Sequence, residues 1–228
     1  MTQDYFFSYV CPMPIDPAVS KKIAEQLLQI KAIKLQPEKP FTWASGWKSP
    51  IYCDNRLSLS YPIVRTYIRQ ALVNAIERNY GKPELIAGVA TAAIAQGALV
   101  AEAMGLPFVY VRSSAKDHGR ENLIEGETVD GQSVVVIEDL VSTGQSSLKA
   151  VQALRDAGCN VKGMISIFNY GFDVAANNFA EAQCKLISLC NYQTLIKHAV
   201  EANYVKENEL STLEKWRSSP STWDVVLK

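Results

Sequence analysis

Two adjacent carboxylates and a hydroxyl-rich loop stand together in the segment VVVIEDLVSTGQSS, residues 134–147. Its apolar start predicts a buried strand, Glu138 and Asp139 follow where that strand must emerge, and a Ser-Thr-Gly-Gln-Ser turn opens the next helix. In a parallel sheet, this edge is where ligands bind.

Each residue type in this segment suits an oxygen-rich ligand. Gly144 permits positive φ and close approach of the backbone, while the amides of residues 142–147 can point at a phosphate near the positive end of a helix dipole. Glu138 and Asp139 cannot face a bare phosphate, so they must meet hydroxyls, a positive intermediate or a metal ion. The combination predicts a site for a phosphorylated sugar, although a strand, an acidic turn and a serine-capped helix also occur together without a ligand.

A second candidate segment is cationic. Four potentially positive side chains fall within nine residues, at Arg112, Lys116, His118 and Arg120. They open the longest polar gap between predicted elements, and we expect such a loop to close over an anion when one is bound. The alternative is a solvated loop whose charges contribute about 0–1 kcal/mol each.

The elements that must position these residues alternate between short apolar runs and helices. The predicted strands are residues 85–89, 108–111, 133–137 and 162–168, and the predicted helices are residues 16–33, 61–79, 93–103 and 146–157. We expect Asp16 and Ser60 to cap the first two helices, Ile63 to point inward, and Gly81 and Gly105 to end the second and third. Strands that are apolar throughout and separated by helices predict an α/β fold with a doubly wound, mostly parallel sheet covered on both faces, and residues 191–217 add a helical flank.

Composition excludes several classes of protein. The 228 residues carry 23 basic and 23 acidic side chains, and this net charge of zero argues against broad nucleic-acid binding. The five cysteines form no CxxC and only two histidines occur, which disfavours a zinc site or a disulfide framework and favours a reducing compartment. Because there is no signal-peptide pattern and no run of 18 apolar residues, we expect a soluble, cytoplasmic protein without a membrane partner. P-loop and Rossmann nucleotide sites lose support because neither GxxxxGK[ST] nor GxGxxG occurs.

Four segments together resemble a known family. Residues 134–147 look like the phosphoribosyl diphosphate (PRPP) motif of type I phosphoribosyltransferases, and FTWASGWKSPIYCDNR, residues 41–56, looks like the N-terminal F-T-x-x-S-G-x-x-S-P-x-Y stretch of orotate phosphoribosyltransferases. Residues 88–112 are similar to the strand-helix-strand before their mobile loop, and residues 111–126 match that loop's R-x-x-x-K-x-H-G pattern. The resemblance covers residues 41–168, and the C-terminal part has the family's helical tail. It implies a single domain over residues 1–228, with a hood in about 1–60, a core in about 61–190 and a tail in about 191–228.

The resemblance also implies a reaction: orotate attacks the anomeric carbon of PRPP, pyrophosphate leaves, and orotidine 5′-monophosphate forms in de novo pyrimidine (UMP) synthesis. Lys116 and Asp139 would be catalytic, and Mg²⁺ would be held mainly by PRPP, without dedicated protein ligands. The implied PRPP-binding residues are Arg112, Lys116, His118, Glu138, Asp139, Leu140, Val141, Ser142, Thr143, Gly144, Gln145 and Ser146. Orotate would meet Ser142, with Lys48 and Arg56 as candidates for its carboxylate. Enzymes of this family are usually homodimers that share active sites.

The sequence departs from the family pattern where some members carry basic residues, at Ala44, Ala92, Ser113 and Asn169. The alternatives are a phosphoribosyltransferase for another base and a regulator that binds PRPP without catalysis. The hood stretch and the cationic loop disfavour the first of these, and Lys116 disfavours the second.

Overall fold

The structure, a computed structural model, describes residues 15–43, 45–112 and 123–223. Its strands in chain order are β1 Ile33–Leu35, β2 Phe41–Thr42, β3 Lys48–Ser49, β4 Ile51–Cys53, β5 Leu85–Val89, β6 Phe108–Val111, β7 Ile124–Glu125, β8 Ser133–Val141, β9 Asn160–Asn169 and β10 Leu186–Asn191. Its α-helices are α1 Pro17–Gln29, α2 Pro62–Tyr80, α3 Ile94–Met104, α4 Gln145–Asp156, α5 Asp173–Glu181, α6 Tyr192–Glu201 and α7 Leu210–Ser218. Short 3₁₀ helices cover Asn55–Ser60 and Glu207–Glu209.

The central sheet has the strand order β10-β9-β8-β5-β6-β7 in the described part of the chain. Its strands are parallel except β7, which runs antiparallel to β6 at one edge. The chain leaves β5 through α3 toward β6 and leaves β8 through α4 in the opposite direction toward β9. Because such crossovers are right-handed, α3 and α4 cover opposite faces. This arrangement confirms the predicted doubly wound, mostly parallel α/β fold.

The topology also indicates where a ligand would bind. β5 and β8 are neighbours, and their following helices diverge to opposite faces, so the two strands form the switch point of the sheet. In open α/β sheets, ligands bind outside the carboxyl ends of the strands at such a point. The predicted acidic pair and hydroxyl-rich loop lie at that end of β8.

The core consists of aliphatic strands between helices. Every residue of β5 is buried, and Val134 to Ile137 of β8 have no exposed surface. α2 contributes buried side chains from Val64, Ile68, Leu72 and Ile76. Continuous burial on both faces explains why these strands carry no apolar-polar alternation.

Several sequence predictions are confirmed closely. The strands predicted over residues 85–89 and 108–111 have these bounds in the structure. Gly81 and Gly105 follow α2 and α3 with φ of 73° and 65°, which glycine adopts without strain from a Cβ atom. The side chain of Asp16 accepts a hydrogen bond from the amide of Ala18 at the start of α1.

Other predicted boundaries are wrong. The first helix ends at Gln29 rather than residue 33, because Lys31 takes a φ of 59° and Ile33 begins a strand paired with β4. Ser60 does not cap α2, since Tyr61 occupies that position and its side chain makes no capping bond. Ile63 points outward and is 83% exposed.

Two predicted elements differ in extent. The predicted strand over residues 133–137 continues to Val141, and the flank over residues 191–217 divides into α6 and α7. The predictions omitted the short strands β1 to β4 and β7, as well as α5 and β10. No helix within the described residues is long and apolar enough to cross a membrane.

Candidate active site

The acidic pair lies inside β8 rather than after it. Pairing of β5 with β8 ends at Gly88 and Ile137, whereas pairing of β8 with β9 continues to Val141 and Asn169. β8 therefore projects beyond β5 by the segment that carries Glu138 and Asp139. The prediction placed these carboxylates beyond the strand because charged residues are rare in buried strands.

Buried hydrogen bonds explain how Glu138 is tolerated there. Glu138 is 5% exposed, and its carboxylate accepts hydrogen bonds from Ser147 Oγ at 2.7 Å and from the Asp139 amide at 3.0 Å. Burial raises the pKa of Glu138, and the neighbouring Asp139 charge raises it further. Burial also raises the pKa of Asp139, although a hydrogen bond with Glu138 opposes the rise. A hydroxyl donor or a positive charge brought next to this pair would stabilise its ionised form.

The hydroxyl-rich loop ends at the open N-terminus of α4. Gly144 is the residue before the helix, with a φ of 79°, and its carbonyl accepts the Leu148 amide at 2.9 Å. No side chain of a described residue caps this terminus, so the first amides of α4 remain available to an anion. Because the capping position holds glycine, the alternative of an ordinary serine-capped helix does not describe this turn.

α5 supports the loop from behind. Asn178 Nδ2 donates to the Thr143 carbonyl at 2.9 Å. A Cβ atom on Gly144 would lie 2.6 Å from Cε2 of Phe179. Sequence reasoning missed both supporting residues, although the apolar run at residues 186–191 could have indicated a further parallel strand and hence a crossover helix before it.

An aromatic cluster holds the N-terminal hairpin beside the same sheet edge. The centroid of the Trp43 ring lies 5.2 Å from that of the Tyr170 ring, just after β9, and 5.6 Å from that of the Trp216 ring in α7. Trp43 Nε1 donates to the Ile51 carbonyl at 3.2 Å, and Trp216 Nε1 donates to the Lys48 carbonyl at 3.1 Å. Residues far apart in sequence thus place the hairpin near the carboxyl ends of β8 and β9.

Comparisons with known proteins agree with this site. The family pattern described as "Phosphoribosyl transferase domain" matches residues 60–178. The chain is 55% identical over 207 residues to "Orotate phosphoribosyltransferase" of Porphyromonas gingivalis, covering 91% of this chain and 99% of that protein. It is 56% identical over 204 residues to the protein of the same name from Cytophaga hutchinsonii, covering 90% and 98%. The chain belongs to the orotate phosphoribosyltransferases, within the type I phosphoribosyltransferase family.

A solved structure supports the family fold. The crystal structure of orotate phosphoribosyltransferase from Aeropyrum pernix matches with a TM-score of 0.71 at 25% identity, covering 80% of this chain and 99% of that one. The family resemblance predicted from the sequence is therefore confirmed, and so is the type I phosphoribosyltransferase fold.

In this phosphoribosyltransferase, Lys48 and Arg56 both have partners. Lys48 Nζ donates to Thr42 Oγ1 at 2.8 Å. Arg56 makes two hydrogen bonds to the Asp54 carboxylate, at 2.7 and 2.9 Å. This ion pair lowers the pKa of Asp54 and raises that of Arg56. The assignment of Lys48 and Arg56 to the orotate carboxylate stays a prediction.

The cationic loop is described only at its two ends. Arg112 follows β6, and its Nη1 atom lies 3.5 Å from Oε1 of Glu125, with both side chains half-buried. Lys116, His118 and Arg120 lie outside the described residues, as do Ala44 and Ser113. The predicted contacts of Arg112, Lys116 and His118 with pyrophosphate stay predictions.

The remaining predicted loop residues lie along the end of β8 and the start of α4. Val141 is buried, Leu140, Ser142 and Thr143 are half-buried, and Gln145 and Ser146 are exposed. Asn169 stands at one of the positions where some family members carry a basic residue. Its Oδ1 atom accepts a hydrogen bond from the Gly171 amide at 2.8 Å. It therefore shapes the turn after β9.

Proposed function

We propose that this site transfers the 5-phosphoribosyl group of PRPP to orotate, giving orotidine 5′-monophosphate and pyrophosphate in de novo pyrimidine (UMP) synthesis. The observation that carries the proposal is the similarity to proteins named orotate phosphoribosyltransferase over about nine-tenths of the chain. The acidic strand end followed by an uncapped helix N-terminus supports it, because this pair of features suits a sugar phosphate.

The 5-phosphate binds at the loop from Ser142 to Ser146 and at the N-terminus of α4. There, backbone amides and hydroxyls supply donors, and the helix dipole favours negative charge. Asp139 and Glu138 accept hydrogen bonds from the ribose hydroxyls. These carboxylates also stabilise the positive charge that develops on the ribose in an oxocarbenium-like transition state.

The leaving pyrophosphate requires positive charge on the opposite side of the anomeric carbon. We assign that role to Lys116 and His118, with Arg112 as an anchor. Ser142 is close to orotate, and Lys48 or Arg56 binds the orotate carboxylate. Positioning and electrostatics then suffice without a covalent nucleophile.

Magnesium fits this site as an ion carried by the substrate. Within the described residues, no group of three His, Cys, Asp or Glu side chains could hold a metal. Mg²⁺ is commonly bound through substrate phosphates and only one or two carboxylates, and the half-buried Asp139 is an oxygen donor of the required kind. When bound with PRPP, Mg²⁺ supplies charge neutralisation for the diphosphate.

An ultraviolet assay tests the proposed reaction. With PRPP, Mg²⁺ and orotate, the purified protein should deplete orotate absorbance, and excess EDTA should reduce the rate to background until Mg²⁺ is restored. Turnover of uracil or a purine instead of orotate would assign the site to another base. PRPP binding without turnover of any base would favour a regulator.

We also propose a homodimer in the cytoplasm. Apolar side chains around the 3₁₀ helix Asn55–Ser60 and the start of α2 face outward, with Leu57 39%, Tyr61 44% and Ile63 83% exposed. An interface there would lie beside the site, which suits a dimer with shared active sites.

Replacing Ile63 with Lys should raise the dimer dissociation constant roughly tenfold or more, because a charge would enter an apolar interface. Sedimentation velocity measures the change. Val129→Lys is the matched control, since Val129 is 65% exposed in a different part of the protein. A wild-type monomer, or equal effects of the two substitutions, would contradict this interface.

A further inference from the structure

Asn55 makes an unusual contact with the acidic strand. It begins the 3₁₀ helix after β4 and is 2% exposed. Its Nδ2 donates to the backbone carbonyl of Asp139 at 2.7 Å, across 84 residues of sequence. This contact ties the hood directly to the strand end that carries the carboxylates.

The position of the Asp139 carbonyl explains why a donor is needed there. β5 accompanies β8 only to Ile137, so the projecting end of β8 has no neighbouring strand on that side. A buried carbonyl without a partner is costly, and nearly all such groups in proteins are paired. The Asn55 amide replaces the missing strand at Asp139.

Asn55 is itself held in place. Its backbone carbonyl accepts the Ser58 hydroxyl at 2.6 Å, and Ser58 Oγ accepts Gln96 Nε2 from α3 at 3.4 Å. Its Oδ1 atom accepts the Cys53 thiol at 3.4 Å. These contacts fix the orientation of the amide, because Oδ1 could not face the Asp139 carbonyl without repulsion.

We propose that Asn55 is a positioning residue for the reaction, which fixes the Asp139 backbone and thereby aims its carboxylate at the ribose. The inference rests on the proposed function. Because Asp139 acts on charge that grows in the transition state, loss of the Asn55 amide lowers kcat more than it raises the KM for PRPP.

Two substitutions and one control test the role. Asn55→Leu keeps the branched shape and the number of side-chain heavy atoms but removes the donor, and we expect kcat to fall about tenfold or more, since small displacements of a catalytic group are costly. Asn74→Leu is the control, because Asn74 is exposed on α2 and bonds only to Gln70 among the described side chains. It should leave kcat unchanged.

Asn55→Asp gives a pH signature that a packing role would not produce. Burial and the Asp139 charge would raise the pKa of the new carboxyl, and its protonated form can donate to the Asp139 carbonyl. The ratio of variant to wild-type kcat should therefore rise as pH falls from 8.5 to 5.5. Titratable groups near position 55 include Cys53, Asp54, Arg56, Glu138, Asp139 and Arg65 of α2, which bonds to the Leu59 carbonyl. Dividing by the wild-type profile removes their shared contribution.

The outcomes are distinct. If wild type fails to turn over orotate, the proposed function fails. If wild type is active and Asn55→Leu matches it, or if the Asn55→Asp ratio stays flat with pH, the positioning role is overturned. Reduced kcat in Asn55→Leu, assayed well below its melting temperature, with recovery of Asn55→Asp at low pH, supports it.

Discussion

Replacing Gly144 with Ala should weaken PRPP binding at least about tenfold, measured as the Kd for PRPP by calorimetry. The added Cβ would lie 2.6 Å from the Phe179 ring at a φ of 79°. A left-handed conformation costs an L-residue about 1–2 kcal/mol, and overpacking costs about 1–3 kcal/mol. A shift of the loop to relieve this clash would displace the amides proposed to bind the 5-phosphate.

Gly131→Ala provides the matched control. Gly131 has a φ of 76° with no atom within 4 Å of an added Cβ. It lies in the turn before β8, at the end of this strand opposite to the acidic pair. This substitution should lower the melting temperature but leave the Kd for PRPP unchanged. Phe179→Leu should restore part of the PRPP affinity in the Gly144→Ala background. Equal PRPP affinities for Gly144→Ala and wild type would exclude the loop from phosphate binding.

Replacing Lys116 with Ala should lower kcat by about 10²–10³, the usual cost of removing one donor to a developing negative charge. The Kd for PRPP should change far less, because the proposed contact strengthens as pyrophosphate departs. Steady-state kinetics combined with calorimetric PRPP binding separates the two quantities.

Lys82→Ala controls for the loss of one positive charge. Lys82 is exposed between α2 and β5, before the N-terminal end of β5 and therefore at the end of the strands opposite to the acidic pair. It should leave both kcat and PRPP affinity unchanged. An unchanged kcat in Lys116→Ala would remove Lys116 from the mechanism, whereas equal losses in the two variants would indicate a general electrostatic effect.

The sheet was predictable from the sequence because its strands are buried on both faces. Runs such as residues 85–89 and 108–111 are apolar from end to end, and glycine follows the helices that flank them. In these segments, burial and backbone conformation are set by residues that are close in sequence. The acidic pair and the loop with Gly144 could also be predicted, because their residues lie within one continuous segment of the sequence.

The C-terminal bound of β8 was predicted wrongly because residues outside the strand stabilise its end. Glu138 is tolerated in a buried strand through Ser147, and the Asp139 carbonyl is paired by Asn55. Likewise, β1 pairs with β4 in stretches of three residues, too short for a periodic pattern. Ile63 was expected inside because spacing within a helix indicates an apolar face without indicating what covers it.

The link between Trp216 and the hood hairpin has a consequence for synthesis of the protein. Trp216 donates to the Lys48 carbonyl across 168 residues. At about 5–20 residues per second, a ribosome takes roughly ten to thirty seconds to add that length of chain. The nascent hairpin therefore lacks its indole partner while the sheet is being synthesised, and the packing of α7 against the hairpin forms last.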